Sequence, residues 1–194
     1  MQCYDIRDFK PINEGKYLID TNILLFLYSE LYDPTKDRRL VPYQEFINKK
    51  NLENFYITTL NLSEYENVLR RRKFNEVIDN YENFKEFRES QEYSEFYKEI
   101  VSYFELFSQQ FNVINISFSQ EILKEYLYLS EEYIQKGQIS FDFNDYLIAK
   151  TAEVYNFYFI TDDKDILYLY KLIKNLKVIT SNRTLLKLYK LYNT

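Results

Sequence analysis

Four acidic residues lie where predicted strands and helices meet, at positions that could support metal-assisted chemistry. Asp20 ends an apolar strand, and Asp163 comes just after another. Asp145 lies at the start of a predicted helix, and Glu64 lies one turn into a different one. The carboxyl ends of parallel strands share one edge of a sheet, where α/β proteins build their sites. Carboxylates gathered at that edge would repel one another unless a cation were bound between them.

The absence of His and the scarcity of Gly exclude several kinds of catalytic and nucleotide-binding site. The 194-residue chain contains no His, which excludes Ser–His or Cys–His nucleophile activation and His-ligated zinc. Its two glycines, Gly15 and Gly137, are isolated, which excludes a P-loop and the Gly-rich dinucleotide motif. Because carboxylate oxygens suit hard cations, the sequence favours Mg²⁺ or Mn²⁺.

The elements that would position these acids alternate between short β-rich runs and amphipathic helical patterns. The predicted strands are 16–20, 54–58, 111–116, 157–161 and 177–180. The predicted helices are 21–31, 36–50, 60–73, 75–109, 119–136, 144–156, 163–174 and 182–192. This alternation predicts an α/β fold with a parallel, helix-flanked sheet.

The segment 75–109 differs from the other helical patterns in its length. Its apolar residues recur at helical intervals, and Ser90 and Gln91 are expected to divide it into two helices. We predict a helical hairpin, inserted between the second and third of these strands, whose apolar stripe packs on the core. Because the length suits one domain and no linker is evident, residues 1–194 are predicted to form a single domain.

The net charge of −5 hides an uneven distribution. Residues 76–132 carry 13 acidic and 4 basic side chains, whereas the rest of the chain carries 17 acidic and 21 basic ones. Two basic groups are candidates for binding nucleic-acid phosphates, namely Arg70, Arg71, Arg72 and Lys73, and Lys36, Arg38 and Arg39. Basic residues at a helix C-terminus also suit the helix dipole, so this structural explanation stays open.

The sequence also indicates a compartment. No apolar run is long enough to cross a membrane, and the N-terminus lacks a signal-peptide pattern. A single Cys cannot form an internal disulfide, which fits a reducing environment. We expect a cytoplasmic protein.

The order of the acidic motifs resembles that of PIN domains, and especially of the VapC-type toxin ribonucleases of bacterial toxin–antitoxin pairs. The motifs are Asp20-Thr21-Asn22, Glu64 after Thr58 and Thr59, Asp145-Tyr-Leu-Ile148-Ala149-Lys-Thr-Ala152, and Thr161-Asp162-Asp163. They span residues 16–166, and the Asp145 motif is the most specific of them. The resemblance implies a PIN-like fold, which is Rossmann-like with α/β/α layers, carrying 75–109 as an insertion.

The same resemblance implies a metal-dependent endoribonuclease that leaves 5′-phosphate and 3′-hydroxyl ends. The residues that would hold Mg²⁺ or Mn²⁺ and carry catalysis are Asp20, Glu64, Asp145 and Asp163. Polar neighbours that could orient them are Thr21, Asn22, Thr161, Asp142 and Asp165. The implied partners are an RNA substrate and an antitoxin protein, and the resemblance is also compatible with a homodimer.

Each acid has a purely structural interpretation as well. Asp20 could cap the helix that it precedes, and Glu64 could be a solvated helix residue. Asp142 or Asn144 could be an N-cap, and the acids at 162–165 could form a polar turn. Two other functions also stay open. One is a catalytically inactive PIN-fold module that binds RNA or protein, and the other is a PIN nuclease of RNA processing or defence that has no antitoxin.

Overall fold

The described residues form one six-stranded parallel sheet. The computed structural model describes residues 1–10, 12, 14–30, 37–49, 52–116, 119–135, 141–169 and 173–192. The strands are β1 (Gln2–Asp5), β2 (Tyr17–Ile19), β3 (Phe55–Thr58), β4 (Asn112–Ile114), β5 (Tyr158–Ile160) and β6 (Lys177–Thr180). Their order across the sheet is β1-β6-β5-β2-β3-β4, and every neighbouring pair is parallel.

Helices connect these strands and cover both faces of the sheet. They are α1 (Thr21–Tyr28), α2 (Val41–Asn48), α3 (Thr59–Glu76), α4 (Phe84–Arg88), α5 (Gln91–Gln110), α6 (Gln120–Gln135), α7 (Phe143–Val154) and α8 (Arg183–Tyr192). Short 3₁₀ segments lie at Leu52–Asn54, Ile78–Asn80 and Lys164–Leu169. The predicted α/β fold is confirmed. Within the described ranges, no helix has the length and apolar character needed to traverse a bilayer.

Successive side chains of β2 point to opposite faces of the sheet, and each face is covered by a hydrophobic core. Tyr17 and Ile19 pack into one core with α1, α2, α3 and α5, whereas Leu18 packs into a second core with α7 and α8. All three side chains are fully buried. Burial of successive residues is typical of a central strand in a parallel sheet that is covered on both sides. The result is the expected α/β/α arrangement.

The chain reverses its progress across the sheet between β2 and β5. From β2 it continues to β3 and β4 on one side, and it later returns to β5 and β6 on the other. The segments that leave the carboxyl ends of β2 and β5 therefore diverge, which opens a crevice at this switch point. Asp20 follows β2 directly, and Thr161 follows β5 directly. The sheet thus brings two of the predicted acidic motifs to one crevice.

Several boundaries differ from the sequence predictions. β1 lies outside the predicted strands, because Gln2–Asp5 is a short, half-buried edge strand without an apolar pattern. In the predicted 75–109 hairpin, α3 continues to Glu76, and Ser90 caps α5 as expected. Within the predicted helix at 163–174, Lys164–Leu169 is a 3₁₀ segment, and the described residues 163, 173 and 174 are not helical. Residues 31, 36, 50, 136 and 170–172 of the predicted helices lie outside the described residues, as does Gly137.

Candidate active site

The four predicted acids line one cavity at the switch point. Asp20, Glu64, Asp145 and Asp163 surround a space of about 390 Å³, which we call the carboxylate cavity. They come from the end of β2, from α3, from α7 and from the segment after β5. Among the described lining residues Asp142 adds a fifth carboxylate, and Arg71 is the single basic side chain. The lining therefore carries negative charge that is largely uncompensated.

Asp20 is fixed in place by three hydrogen-bond donors. Its Oδ1 accepts the backbone N–H of Thr21 at 2.7 Å, so Asp20 does cap α1. Its Oδ2 accepts from Asn22 Nδ2 at 2.9 Å and from Thr161 Oγ1 at 2.5 Å. Because Thr161 follows β5, these bonds tie together the ends of the two strands that flank the crevice.

Glu64 is oriented by the capping of its own helix. Thr58 and Asn61 form a capping box at the start of α3. The buried Asn61 side chain then donates from Nδ2 to Thr21 Oγ1 at 3.0 Å. Thr21 Oγ1 in turn donates to Glu64 Oε2 at 2.6 Å. Asn61 is absent from the predicted site residues, because its spacing from Thr58 indicates only a helix cap.

Asp145 forms a second capping box with Asp142 at the start of α7. Asp142 Oδ1 accepts the backbone N–H groups of Asn144 and Asp145, at 2.8 and 3.0 Å. Asp145 Oδ2 accepts the Asp142 N–H at 2.9 Å. Asp142 is therefore the N-cap that its structural interpretation expects. Asp145 Oδ1 accepts no hydrogen bond from the described residues, which leaves that oxygen available to a ligand.

The segment after β5 holds Asp163 in a polar turn. Thr161 Oγ1 accepts the Asp163 N–H at 3.0 Å, and Asp163 Oδ1 accepts the Asp165 N–H at 2.8 Å. Asp165 thus contributes a backbone donor, and its side chain is not part of the cavity lining. Asp163 Oδ2 accepts no hydrogen bond within the described ranges. A second oxygen in the cavity therefore remains available.

Burial and the repulsion between neighbouring negative charges raise the pKa values of these carboxyl groups. Burial raises the pKa of Asp20 to about 8, against the hydrogen bond from Thr161, and the charges of Asp145, Asp163 and Glu64 add to the rise. Burial likewise raises the pKa of Asp145 to about 7. The pKa values of Glu64 and Asp163 are also raised, mainly by burial. A hydrogen bond with Asn144, another residue missing from the predicted site, opposes the rise at Glu64.

The donor chemistry of the cavity suits a hard divalent cation. Among the described residues, no three acidic side chains are already placed to coordinate one ion. Mg²⁺ usually retains several waters and is held through one or two carboxylates, so it does not need a closed protein cage. The free oxygens of Asp145 and Asp163, in a cavity lined by carboxylates, meet that requirement.

The predicted basic residues of α3 fall into different surroundings. Arg71 lines the carboxylate cavity. Arg70 is only 16% exposed, pairs with Glu66 at 2.9 Å, and lies over the rings of Phe84 and Tyr93. Neighbouring positions on one helix therefore do different things. Arg71 reaches the cavity, whereas Arg70 fastens α3 to the inserted helices.

The remaining basic candidates that the structure describes are not part of the lining of this cavity. Arg72 pairs with Glu76 at 3.2 Å, and Lys73 pairs with Glu92 at 3.5 Å. Arg38 and Arg39 line a separate cavity. Lys36 lies outside the described residues. The structure thus divides the predicted basic groups among several surfaces.

Comparison with known proteins identifies the class to which this fold and site belong. Residues 17–172 match the family model described as PIN domain. The chain therefore belongs to the PIN domain family. None of the curated proteins matches it.

Several solved structures are similar to the chain over most of its length. VapBC2 from Rickettsia felis, bound to a promoter DNA fragment, has 21% identity and a TM-score of 0.45, covering 84% of this chain and 96% of that one. VapBC-1 from nontypeable Haemophilus influenzae has 19% identity and a TM-score of 0.49, with coverages of 87% and 99%. A toxin–antitoxin complex from Klebsiella pneumoniae has 22% identity and a TM-score of 0.45, with coverages of 86% and 98%.

Proposed function

We propose that this chain is a single-domain, metal-dependent endoribonuclease that hydrolyses RNA phosphodiester bonds and acts as the toxin of a toxin–antitoxin pair. The observation that carries the proposal is the convergence of five carboxylates from four separate segments on one cavity, whose described lining residues include one arginine. Helix capping accounts for Asp20 and Asp142 one at a time, but it does not require them to share a cavity with Glu64 and Asp163. Partly buried like charges are costly, and a bound cation would offset that cost.

The residues have distinct roles in this proposal. Asp20, Glu64, Asp145 and Asp163 would hold Mg²⁺ or Mn²⁺. When bound, such a cation supplies a water of lowered pKa and offsets charge on the scissile phosphate. Thr21, Asn22 and Thr161 orient Asp20 and Glu64 through the hydrogen bonds described above. Arg71 supplies a positive charge inside the cavity that can pair with a phosphate oxygen.

Two parts of this proposal, the RNA substrate and the antitoxin partner, do not rest on the geometry of the cavity. Both rest on the order of the acidic motifs, which resembles that of VapC-type ribonucleases. Hydrolysis by a carboxylate-bound cation needs neither a His base nor the RNA 2′-hydroxyl, and the chain contains no His. The resemblance to these ribonucleases implies products with 5′-phosphate and 3′-hydroxyl ends.

The enzymatic part is tested by incubating the protein with total cellular RNA and mapping the new ends. Cleavage should require Mg²⁺ or Mn²⁺ and should stop in chelator. The Asp145→Asn protein, purified identically, should be inactive, whereas Asp79→Asn, an exposed acid outside the cavity, should retain activity. Cleavage that survives chelator, or products with 2′,3′-cyclic phosphates, would overturn the proposed chemistry.

The toxin part is tested in cells. Expression of the wild-type chain should arrest growth, and Asp20→Asn should relieve the arrest, since Asn remains a good helix cap but cannot carry the charge. Co-expression of a small neighbouring open reading frame should also relieve it. Equal toxicity of wild type and variant would remove catalysis from the explanation. Arrest that no neighbouring product relieves would favour a nuclease of RNA processing or defence.

A further inference from the structure

A second polar cavity lies at the same edge of the sheet as the carboxylate cavity. It encloses about 510 Å³ and is lined by Arg7, Arg38, Arg39 and Arg183, together with Asp162. We call it the arginine cleft. Arg7 follows β1, Arg38 and Arg39 precede α2, and Arg183 begins α8. Three segments that are distant in sequence thus bring four guanidinium groups together.

Two of these arginines form close ion pairs with described residues, and two do not. Arg7 binds both oxygens of Asp5 at 2.7 Å, and Arg39 forms a similar pair with Asp37. Arg38 and Arg183 are exposed and form no ion pair with any described residue. The cleft therefore offers two guanidinium groups that form no direct ion pair with a described residue, although the carboxylates of Asp5, Asp8 and Asp162 lie near enough to act on the charges of its lining. Guanidinium groups pair well with phosphate oxygens, often through two parallel hydrogen bonds.

A single stretch of backbone separates the arginine cleft from the carboxylate cavity. Asp162 lines the cleft and Asp163 lines the cavity. The Cα atoms of consecutive residues are about 3.8 Å apart, so the two spaces lie on either side of this one segment. A polymer that crosses the segment could place one phosphate in the carboxylate cavity and neighbouring phosphates in the cleft.

The dividing segment is braced from both sides. The Asp162 N–H donates to Asn22 Oδ1 at 3.4 Å, and the Asp162 carbonyl accepts from Asn182 Nδ2 at 2.6 Å. The buried Tyr43 hydroxyl donates to Asp162 Oδ1 at 2.8 Å and accepts the Ser181 N–H at 2.8 Å. These bonds hold the ends of β5 and β6 together. They also give the Asp162 carboxylate, the one carboxylate among the described lining residues of the cleft, an uncharged hydrogen-bond donor in Tyr43.

We propose that the arginine cleft binds the phosphates of the RNA strand that flank the cleaved bond. This inference rests on the proposed function and extends it to the path of the substrate. Pro42 is the one apolar residue among the described lining residues, and none of them is aromatic. Protein partners usually anchor in apolar pockets, and base recognition needs stacking or base-edge contacts. The cleft is therefore built for phosphates, without sequence preference.

Binding of a short single-stranded RNA at several salt concentrations tests the inference directly. The double variant Arg38→Gln/Arg183→Gln would be compared with its parent, both in the Asp145→Asn background and in chelator, so that cleavage does not interfere. Each lost phosphate contact on a single strand flattens the plot of log affinity against log salt by about 0.7, so the slope should fall by roughly 1.4. Affinity at low salt should fall about tenfold, which is the loss of about 1.4 kcal/mol.

A matched control separates local contacts from net charge. Arg88→Gln/Lys98→Gln removes the same charge from exposed positions on α4 and α5. It should leave the salt slope nearly unchanged. An unchanged slope for the cleft variant, or an equal change in the control, would overturn the inference. Polyglutamate serves as a second probe, because equal losses of polyglutamate and RNA binding would instead assign the cleft to an acidic protein segment.

Steady-state cleavage by the otherwise wild-type protein distinguishes this inference from the proposed function. The cleft variant should raise KM for RNA about tenfold and leave kcat within about twofold, because the cleft does not touch the reacting phosphate. A fall in kcat at unchanged KM would contradict the proposal that the arginine cleft binds RNA phosphates away from the cleaved bond. If the wild type does not cleave RNA, the proposed function fails, whereas the salt dependence of binding still decides the role of the cleft.

Discussion

The carboxylate cavity and the α4–α5 insertion are both rich in acidic residues, but they treat charge differently. In the insertion, most of the acids are exposed to solvent, and Glu95 pairs with the neighbouring Lys98 at 2.8 Å. Among the described lining residues of the cavity, five carboxylates accompany one basic side chain, Arg71, and burial raises the pKa of Asp20 and Asp145. Solvated, paired charges cost little, whereas partly buried charges of one sign oppose folding. The candidate site is therefore distinguished by acidic side chains that lie close together with little positive charge beside them, and not by the number of acids.

The two regions also differ in what holds them together. The cavity depends on hydrogen bonds such as that of Thr161 with Asp20. The insertion depends on aromatic packing around the fully buried Phe87, which contacts the rings of Phe74 and Tyr93. Phe74 belongs to α3, the helix that also carries Glu64. The insertion thus stabilises the scaffold of the site without adding a side chain to the cavity lining.

The largest contrast should appear in activity. Asp145→Asn should lower the single-turnover rate of RNA cleavage about a thousandfold, or about 4 kcal/mol of transition-state stabilisation. Glu95→Gln, in the insertion, should leave the rate unchanged because its carboxylate is exposed and remote from the cavity. Similar losses for the two variants would abolish the distinction between the regions.

The next largest effect is on the stability of the fold, and it should follow from a substitution in the insertion. Phe87→Ala should reduce the free energy of unfolding by about 3–4 kcal/mol, because it leaves a cavity among packed rings. Urea denaturation measures this change, and Tyr128→Ala, which truncates a largely exposed ring, is the control. A loss below about 1 kcal/mol would show that the insertion is not anchored through Phe87.

Asp145→Asn should have a modest stability effect whose size depends on pH. Because burial raises the pKa of Asp145 to about 7, the folded state binds this proton more tightly than the unfolded state. The protonated carboxyl thus contributes stability at about pH 4, and that contribution is lost as the pH rises through about 7.

In chelator at about pH 8, the Asp145→Asn variant should therefore be as stable as the wild type, or more stable by about 1 kcal/mol. The Asn side chain can still accept the hydrogen bond from the Asp142 N–H. The difference should shrink at about pH 5. A large drop in Tm for the variant at about pH 8 would contradict the repulsion.

The smallest effect should come from the ion pairs of the insertion. Lys98→Ala should change the free energy of unfolding by less than about 0.5 kcal/mol, because both partners are exposed. Thermal unfolding at low and high salt measures it. A loss above about 1 kcal/mol would show that exposed charges stabilise the insertion after all.

The sequence predicts the sheet and the gathering of acids because both follow local rules. Asp20 and Asp163 follow apolar strands, and parallel strands end at a common edge, so their approach is predictable from their places in the chain. Asn156, which follows the C-cap of α7, likewise has the left-handed φ, here 57°, that is typical of Asn or Gly just after a helix. The catalytic role of these acids stays a prediction.

The features that escape prediction depend on long-range contacts. Asn61 and Asn144 have the spacing of ordinary helix-start residues, and only the folded chain brings them to Thr21 and Glu64. Tyr43 lies in an apolar helix stripe that suggests core packing, which it provides in addition to its hydroxyl contacts. The arginine cleft combines positions 7, 38 and 183, and no local pattern relates them.

The pairing of β1 with β6 has a consequence for biosynthesis. Gln2 lies opposite Lys177, so β1 gains its partner strand only after β6 has been synthesised about 170 residues later. The segments that line the carboxylate cavity are complete once Asp163 has emerged, whereas the arginine cleft also needs Arg183. During vectorial synthesis the residues of the acid cluster therefore emerge before the last residue of the arginine cluster.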